Sequence, residues 1–392
     1  MASPIELLPA ELLDLITSRL PALDYAALRL ASRRLHFTSH TEFLKRFFTT
    51  VSTFLDPTSL ARLVDISSHQ RFANSVRNLH IKSRGGAPGK GPPIYEDFRF
   101  IRDVATSKNA VSIVRPLSRV MESLPNLNSV RFYLLDQNIG YTRSIYKSDI
   151  VIFQAVCFQM ILDAVIESNT QLQELSTLSG DVSLSSSCAI VPHQAFNLAL
   201  PYLVSLGNAF ATLKSMSLSI NEWCSANSRV PGWENGISQF ISTAPSLENL
   251  SLNLSKGYPV PKYSVPVIHS LAQSTRLPKL HTFQLYGGAF EELDLLDFML
   301  NHKHSIRRIS LPHVNNQDGS WKSILIAFRD SLDLEYLYVE RPLENGNLLS
   351  FCIDPPARTV TLEIDTTPEN QSRSMEKLLT EYISSVKRGL KN

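Results

Sequence analysis

A glycine-rich run with a lysine, Gly85-Gly86-Ala87-Pro88-Gly89-Lys90-Gly91, comes nearest in this chain to offering chemistry, because backbone N–H groups in such a loop can cradle phosphate. Its spacing does not complete the site. A phosphate loop needs glycine where Arg84 stands and serine or threonine where Gly91 stands, since that hydroxyl reaches magnesium. The stretch from Arg84 to Pro93 therefore reads as an exposed loop punctuated by glycine and proline. His302, His304 and nearby His313 form the one histidine cluster. No cysteine or carboxylate stands at ligand spacing beside them, so a solvated helix end is expected rather than a metal site. Glu291, Glu292, Asp294 and Asp297 make an acidic helical face, expected to be solvated on the convex surface. The four cysteines, Cys157, Cys188, Cys224 and Cys352, lie far apart with no C-x-x-C pair. That spacing argues against a disulfide framework and a zinc site, and for a reducing compartment. No Ser/His/Asp or Cys/His signature is present, so a non-enzymatic protein without cofactor is expected.

With chemistry set aside, the elements must be read for binding. The chain has 392 residues, 43% of them hydrophobic, and a formal charge of +2. Such a chain folds around a sizeable core, and so balanced a charge creates no field to draw nucleic acid or an anionic membrane. Contacts with partners must be local. The opening residues carry Glu6 and Glu11 and no basic stretch, and no run approaches about 18 consecutive apolar residues, so neither secretion nor a membrane span is expected. The expected location is cytoplasmic, nuclear or both.

The first fifty residues form one unit of the pattern. Leu8-Pro9-Ala10-Glu11-Leu12-Leu13 opens with proline at a first helical position, and Leu12, Ile16 and Leu20 recur at fourfold spacing. Pro21 stops that helix, and Asp24 is placed to cap a second one carrying Ala27, Leu28, Ala31 and Leu35. Ser39-His40-Thr41-Glu42 reads as a capping box for a third helix through Phe43, Leu44, Phe47 and Phe48. Three short helices enclose little dry core, so part of their apolar surface is expected against a partner or the following domain.

The order Leu8-Pro9-x-Glu11-Leu12-Leu13-x-x-Ile16-x-x-x-Leu20-Pro21-x-x-Asp24-x-x-x-Leu28-Arg29-x-x-x-Arg33-Arg34 resembles the F-box motif in its fungal form. One departure is Leu35, where many family members carry tryptophan. The resemblance implies binding of the Skp-type adaptor of cullin-RING ubiquitin ligases. Carried over by position, Leu8, Pro9, Leu12, Leu13, Ile16, Leu20 and Leu28 are the implied adaptor contacts.

Past this unit the chain repeats. The strand signature L-x-x-L-x-L of a leucine-rich repeat starts at Val76, Leu127, Leu172, Leu213, Leu247, Leu280, Ile306 and Leu334, most fully at Leu213 and Leu247 and least clearly at Leu172. Helical patterns lie between these starts, and Leu124-Pro125, Ala244-Pro245 and Leu277-Pro278 mark helix ends where proline favours an extended lead into the strand. Strand alternating with helix, neither able to bury its apolar face alone, describes a curved solenoid with a parallel sheet on the concave side and helices on the convex side. The expected fold class is α/β, divided into a three-helix F-box at 1–50, a helical connector at 51–75, a degenerate leucine-rich-repeat array at 76–350, and a C-terminal strand with a capping helix at 351–392. An alternating strand at Arg358 to Ile364 and a charged amphipathic helix at Ser372 to Leu390, placed to cap the array, make up that last part.

F-box followed by repeats is the layout of a substrate receptor: the adaptor on one module, a protein substrate on the repeat surface, and the chemistry on other ligase subunits. A scaffolding protein that binds the adaptor without delivering a substrate is the alternative. Leucines of the signature point inward, so positions three, five and seven face out. Those are serine and asparagine early, then Thr282, Gln284 and Tyr286, then Arg308, Ser310 and Pro312, then Tyr336, Tyr338 and Glu340. Tyr286, Arg308, Tyr336 and Tyr338 are thus the candidate substrate contacts, with packing under the C-terminal helix as the other use of the tyrosines. Trp223 and Trp233, in the loop Asn221 to Gly236, are two further candidate anchors.

Overall fold

The computed structural model describes residues 4–83, 110–134, 147–177, 191–221, 232–254, 264–351, 361–366 and 375–388. The glycine-lysine run at 85–91, Trp223, Cys188, Cys224 and Cys352 lie outside them. Four helices open the chain: α1 (Ala10–Arg19), α2 (Ala22–Ala31), α3 (Arg33–Thr38) and α4 (His40–Phe48). The expected three become four at Ser32, whose hydroxyl accepts the Leu35 N–H at 3.2 Å and starts a separate short helix. Ser39 does not cap α4 with its side chain; its hydroxyl donates back to the Leu35 carbonyl at 2.6 Å. Pro9 and Pro21 occupy the cap positions of α1 and α2, and Asp24 falls inside the first turn of α2.

Strand β1 (Thr50–Phe54) follows at once. Residues 51–75, expected as a helical connector, thus contribute a strand to the sheet before α5 (Pro57–Ser68) and the single turn α6 (Gln70–Ala73). Local chemistry fixes where α5 begins. The Asp56 carboxylate accepts the Ser59 N–H at 3.0 Å, and Pro57 forfeits no helical bond at the first position.

Strand and helix then alternate through β2 (Asn78–Ser83), α7 (Ala110–Glu122), β3 (Ser129–Leu134), α8 (Lys147–Ser168), β4 (Glu174–Ser176), β5 (Val191–Pro192), α9 (Leu200–Ala209) and β6 (Ser215–Asn221). After them come α10 (Trp233–Ser242), β7 (Asn249–Asn253), α11 (Ser264–Ser274), β8 (Thr282–Tyr286), β9 (Ala289–Glu291), α12 (Glu292–Asn301), β10 (Arg308–Pro312), β11 (Asn315–Asp318) and α13 (Trp321–Ser331). The chain closes with β12 (Tyr336–Glu340), β13 (Leu343–Glu344), β14 (Asn347–Phe351), β15 (Thr361–Asp365), α14 (Met375–Ser385) and β16 (Val386–Arg388). The fold is mixed α/β, with an eleven-stranded sheet whose path runs β1-β2-β3-β4-β6-β7-β8-β10-β12-β15, β5 pairing beside β6. Every pairing on that path is parallel except the last, β12 with β15. A second sheet, β9-β11-β13-β14-β16, runs beside its C-terminal half.

Register explains the regularity. Leu79, Val130, Leu175, Met216, Leu250, Phe283, Ile309, Leu337 and Ile364 pair strand to strand in one unbroken row, and all are buried. Because side chains alternate along a strand, this row faces the helices, which pack side by side on it: α5 on α7, α7 on α8, and α10 through α14 in succession. A second row, of main-chain carbonyls, marks the same period. Arg77, Asn128, Gln173, Lys214, Glu248, His281 and Arg307 each stand one residue past the first apolar position of a segment, and each carbonyl accepts two N–H groups from the next segment. Lys214, for example, accepts from Glu248 at 2.8 Å and Asn249 at 2.9 Å. Thr49 serves Arg77 and Asn78 in the same way, so β1 is built like the segments after it.

Two boundaries differ from expectation. Pro125, Pro245 and Pro278 sit in tight turns rather than extended chain, with Leu127, Leu247 and Leu280 donating back to the carbonyls of Leu124, Ala244 and Leu277 at 3.1, 3.2 and 3.0 Å. The C-terminal helix ends at Ser385, and Val386–Arg388 pairs antiparallel with β14. Leu379 and Ile383 of that helix enter the common core, so it covers the last unit from the helix side. No helix among the described residues is long and apolar enough to cross a membrane.

Candidate functional site

The N-terminal helices are short of core. Leu13, Tyr25 and Leu35 are their buried apolar side chains, and polar groups fill the rest. The Tyr25 hydroxyl donates to the Ser39 carbonyl at 2.5 Å, while the buried Arg29 guanidinium donates to the Ser39 hydroxyl at 3.3 Å and lies 4.0 Å from the Phe43 ring centroid. Phe48 of α4 stacks on Phe72 at 4.3 Å and ties the module to the sheet body. Helical spacing sends Leu13 and Thr17 inward and leaves Leu12, Leu15 and Ile16 outward. Eight of the fifteen large apolar side chains exposed among the described residues belong to this module: Leu7, Leu12, Leu15, Ile16, Leu23, Leu30, Phe37 and Phe47. That concentration is more exposed apolar surface than any other part of the described chain presents.

Of the residues singled out from sequence, Leu12 is 47% exposed, Pro9 and Ile16 are exposed, and Leu8, Leu20 and Leu28 are half-buried. Leu13, by contrast, is 1% exposed and belongs to the module's own core, so it is not a contact surface. Leu7, Leu15, Leu23, Leu30 and Phe37 are the exposed groups that sequence reading missed. Their signal was present: each sits outside the i, i+4 row that became the core.

On the sheet face opposite the helices, outward side chains form rows of their own. One runs Ser215, Asn249, Thr282, Arg308, Tyr336, Asp365; its neighbour runs Ser217, Ser251, Gln284, Ser310, Tyr338, Glu363. Small neutral groups thus give way to aromatic and charged ones at the C-terminal end. Arg308, Tyr336 and Tyr338 come together there, with the Arg308 guanidinium carbon 4.7 Å from the Tyr336 ring centroid. Tyr336 donates to Glu363 at 3.3 Å, and Tyr338 donates to Glu340 at 2.8 Å. Glu340 Oε1 is 3.7 Å from His313 Nε2, and the His313 ring meets Tyr286 edge-on at 5.4 Å, which joins the fourth predicted residue to the cluster. Burial first, and then Glu363, pushes the Tyr336 hydroxyl up. Burial followed by Glu340 pushes Tyr338 up to about 12. Both remain proton donors at neutral pH. Neither tyrosine packs under the C-terminal helix, which lies on the opposite face with Leu337 and Val339.

The remaining candidates resolve differently. Trp233 is the first residue of α10, half-buried against the core, with its ring 4.7 Å from that of His193; it is an element of the helix layer rather than a loop anchor. His302 is buried: Nδ1 donates to the Phe298 carbonyl at 2.7 Å and Nε2 accepts the Leu277 N–H at 3.0 Å. It is therefore a structural link between units, not a solvated helix end. No group of three or more metal-ligating side chains occurs among the described residues. The acidic face of α12 is not uniformly solvated either. Asp294 is buried and bonded to His269 at 2.8 Å, and Glu292 accepts the Ser320 N–H ahead of α13. Buried Glu344 accepts the Trp321 N–H at 3.0 Å at the same helix start, where carboxylates suit the dipole.

No protein-family model matches the chain, and no curated protein does. Among solved structures, a Bacteroides fragilis protein determined by a structural genomics consortium is 12% identical over 75% of this chain and 72% of its own, with a TM-score of 0.34. At that level the likeness bears on neither fold nor function.

Proposed function

We propose that the chain is the substrate receptor of an SCF-type cullin-RING ubiquitin ligase, an F-box protein whose N-terminal helices hold the Skp-type adaptor and whose leucine-rich-repeat solenoid holds a protein substrate on its open face. The observation that carries this reading is the coincidence of the ordered motif from Leu8 to Arg34 with the exposed apolar groups Leu12, Ile16, Leu23 and Leu30. Each leucine or isoleucine side chain taken fully out of water contributes roughly 1.5–3 kcal/mol, so covering these four supports a stable complex. The single carbonyl row from Thr49 to Arg307 supports the solenoid reading, since each segment bonds only to its neighbours. In this role the chain performs no bond chemistry; it raises the effective concentration of substrate beside the ligase's charged ubiquitin carrier.

Co-purification tests the assignment. Replacing Leu12 and Ile16 together by aspartate leaves the module core of Leu13, Tyr25 and Leu35 intact, and should abolish capture of the Skp-type adaptor, since loss of one desolvated anchor alone often costs about 2 kcal/mol. Undiminished capture by that variant, with an unchanged circular dichroism spectrum, would refute the proposal. Ubiquitin transfer to a bound partner, present with the wild type and absent with the variant, separates a receptor from a scaffold.

A further inference from the structure

We infer that the C-terminal end of the open face, centred on Tyr338, takes a protein segment presenting arginine or lysine; the inference rests on reading this face as the substrate surface. A cation is already seated beside it. The Arg308 guanidinium lies over the Tyr336 ring at 4.7 Å, a cation on an aromatic face of these rows. Tyr338 is the next outward position of the same strand, and among the described residues no guanidinium or ammonium covers its ring. Two acidic residues neighbour it. Glu340 accepts the Tyr338 hydroxyl at 2.8 Å, and Glu363 faces Tyr338 across the antiparallel pair.

The sign of the charge selects the partner. Glu340 and Glu363 outweigh Arg308 at this end, and the row leading to it, Ser217 to Ser310, is neutral and offsets nothing. An acidic segment would bring its carboxylates against Glu340 and Glu363, and an apolar one would strand both acids without solvent. A basic side chain satisfies ring and acids together. Arginine fits better than lysine, because a planar guanidinium can stack on Tyr338 while forking to Glu363.

The test uses the full chain and fluorescein-labelled Gly/Ser peptides carrying paired arginines, paired lysines, paired glutamates or no charge, with anisotropy read at low and high salt. The arginine peptide is expected to bind tightest, the glutamate peptide not at all, and added salt to weaken the arginine complex. Tyr338→Ala should raise Kd about fivefold for a partly exposed cation–aromatic contact, and Glu363→Gln should raise it about threefold. Tyr338→Phe retains the ring and should stay close to wild type, which separates loss of contact from loss of fold. Equal binding of the charge-free peptide, no binding of the arginine peptide, or wild-type binding by Tyr338→Ala overturns the inference. Adaptor capture on the same preparations keeps the two readings apart. A chain that captures the adaptor and ignores the arginine peptide removes only this inference; one that binds the peptide and not the adaptor removes the receptor assignment.

Discussion

Replacing His302 by leucine probes how one strand–helix segment is fastened to the next. In other units the N–H at the end of the helix is satisfied by its own backbone, as Leu124 is by Met121 and Ala244 by Ile241. Leu277 instead donates to the imidazole of the following unit at 3.0 Å, while the other ring nitrogen is tied to the Phe298 carbonyl. Those two bonds define the neutral tautomer. Leucine fills the space but leaves the Leu277 N–H unpaired in the core, which costs about 1–3 kcal/mol, and the lost ring contact with Phe298 at 4.6 Å adds about 0.5–1.5 kcal/mol. Glutamine can offer an acceptor near the position of Nε2, so His302→Gln should recover part of the loss. Urea titration read by circular dichroism reports both as shifts in midpoint at unchanged slope.

The pH dependence gives an independent check. Burial lowers the His302 pKa from 6.5, with Arg276 acting in the same direction and the Phe298 carbonyl opposing. A base whose folded value lies below its unfolded value binds fewer protons when folded, so its contribution is present above about 6.5 and is lost as pH falls through the folded value. The stability gap between wild type and His302→Gln should therefore narrow on acidification from pH 7 to 5. His40 and His80 are lowered too, burial leading in each, but both proteins share them and the difference cancels. A leucine variant as stable as the glutamine one, or a gap that widens on acidification, would sink the reasoning.

Two further substitutions test the packing at single positions. Gly236→Ala should destabilise by roughly 1–3 kcal/mol although alanine is the better helix former, because an added Cβ would stand 2.5 Å from the Phe196 carbonyl oxygen; a rise in thermal midpoint would show that the helix can shift away. Arg341→Gly should raise stability by up to about 1 kcal/mol, since Arg341 is exposed with φ +46 and glycine relieves a left-handed residue at some cost in unfolded-state entropy; an unchanged or lower thermal midpoint would contradict it.

What was legible in the sequence is what the sheet demands of every unit. An apolar side chain on a strand can face the helices only in one register, so even the weak segment at Leu172, with Thr177 in place of the last leucine, sets Leu175 in the same row as Met216 and Leu250. Strand β1 escaped because Thr50-Val51-Ser52-Thr53-Phe54 places buried Thr53 where a leucine would announce the signature. The buried acids Asp294 and Glu344 escaped for another reason. Nothing within five residues of Asp294 or Glu344 reveals that His269 or the Trp321 N–H will meet them, since each partner arrives from another unit. At the candidate recognition surface, the outward tyrosines and Arg308 followed from alternation alone, but Glu363 did not. Its strand was legible; its antiparallel pairing with β12 was not, and that pairing sets the acid beside Tyr338.

The second sheet has a cause of the same hidden kind. After β8, β10 and β12 the chain turns at Gly287, His313 and Arg341, which stand at equivalent positions and share positive φ angles of +63, +57 and +46. A left-handed residue there lets the corner turn without breaking the ladder: Gly287 donates to the Pro312 carbonyl at 2.8 Å, and His313 donates to Glu340 at 2.7 Å. The chain leaves each corner as β9, β11 or β13, and the three pair parallel as the second sheet. Only the first corner carries glycine, the residue that would betray such a turn in sequence. At the second, the conformational cost is borne by a histidine whose ring lies between Tyr286 and Glu340. One residue thus makes the turn between the two sheets and sets its ring between Tyr286 and Glu340, a contact that glycine, easier for the backbone, would not supply.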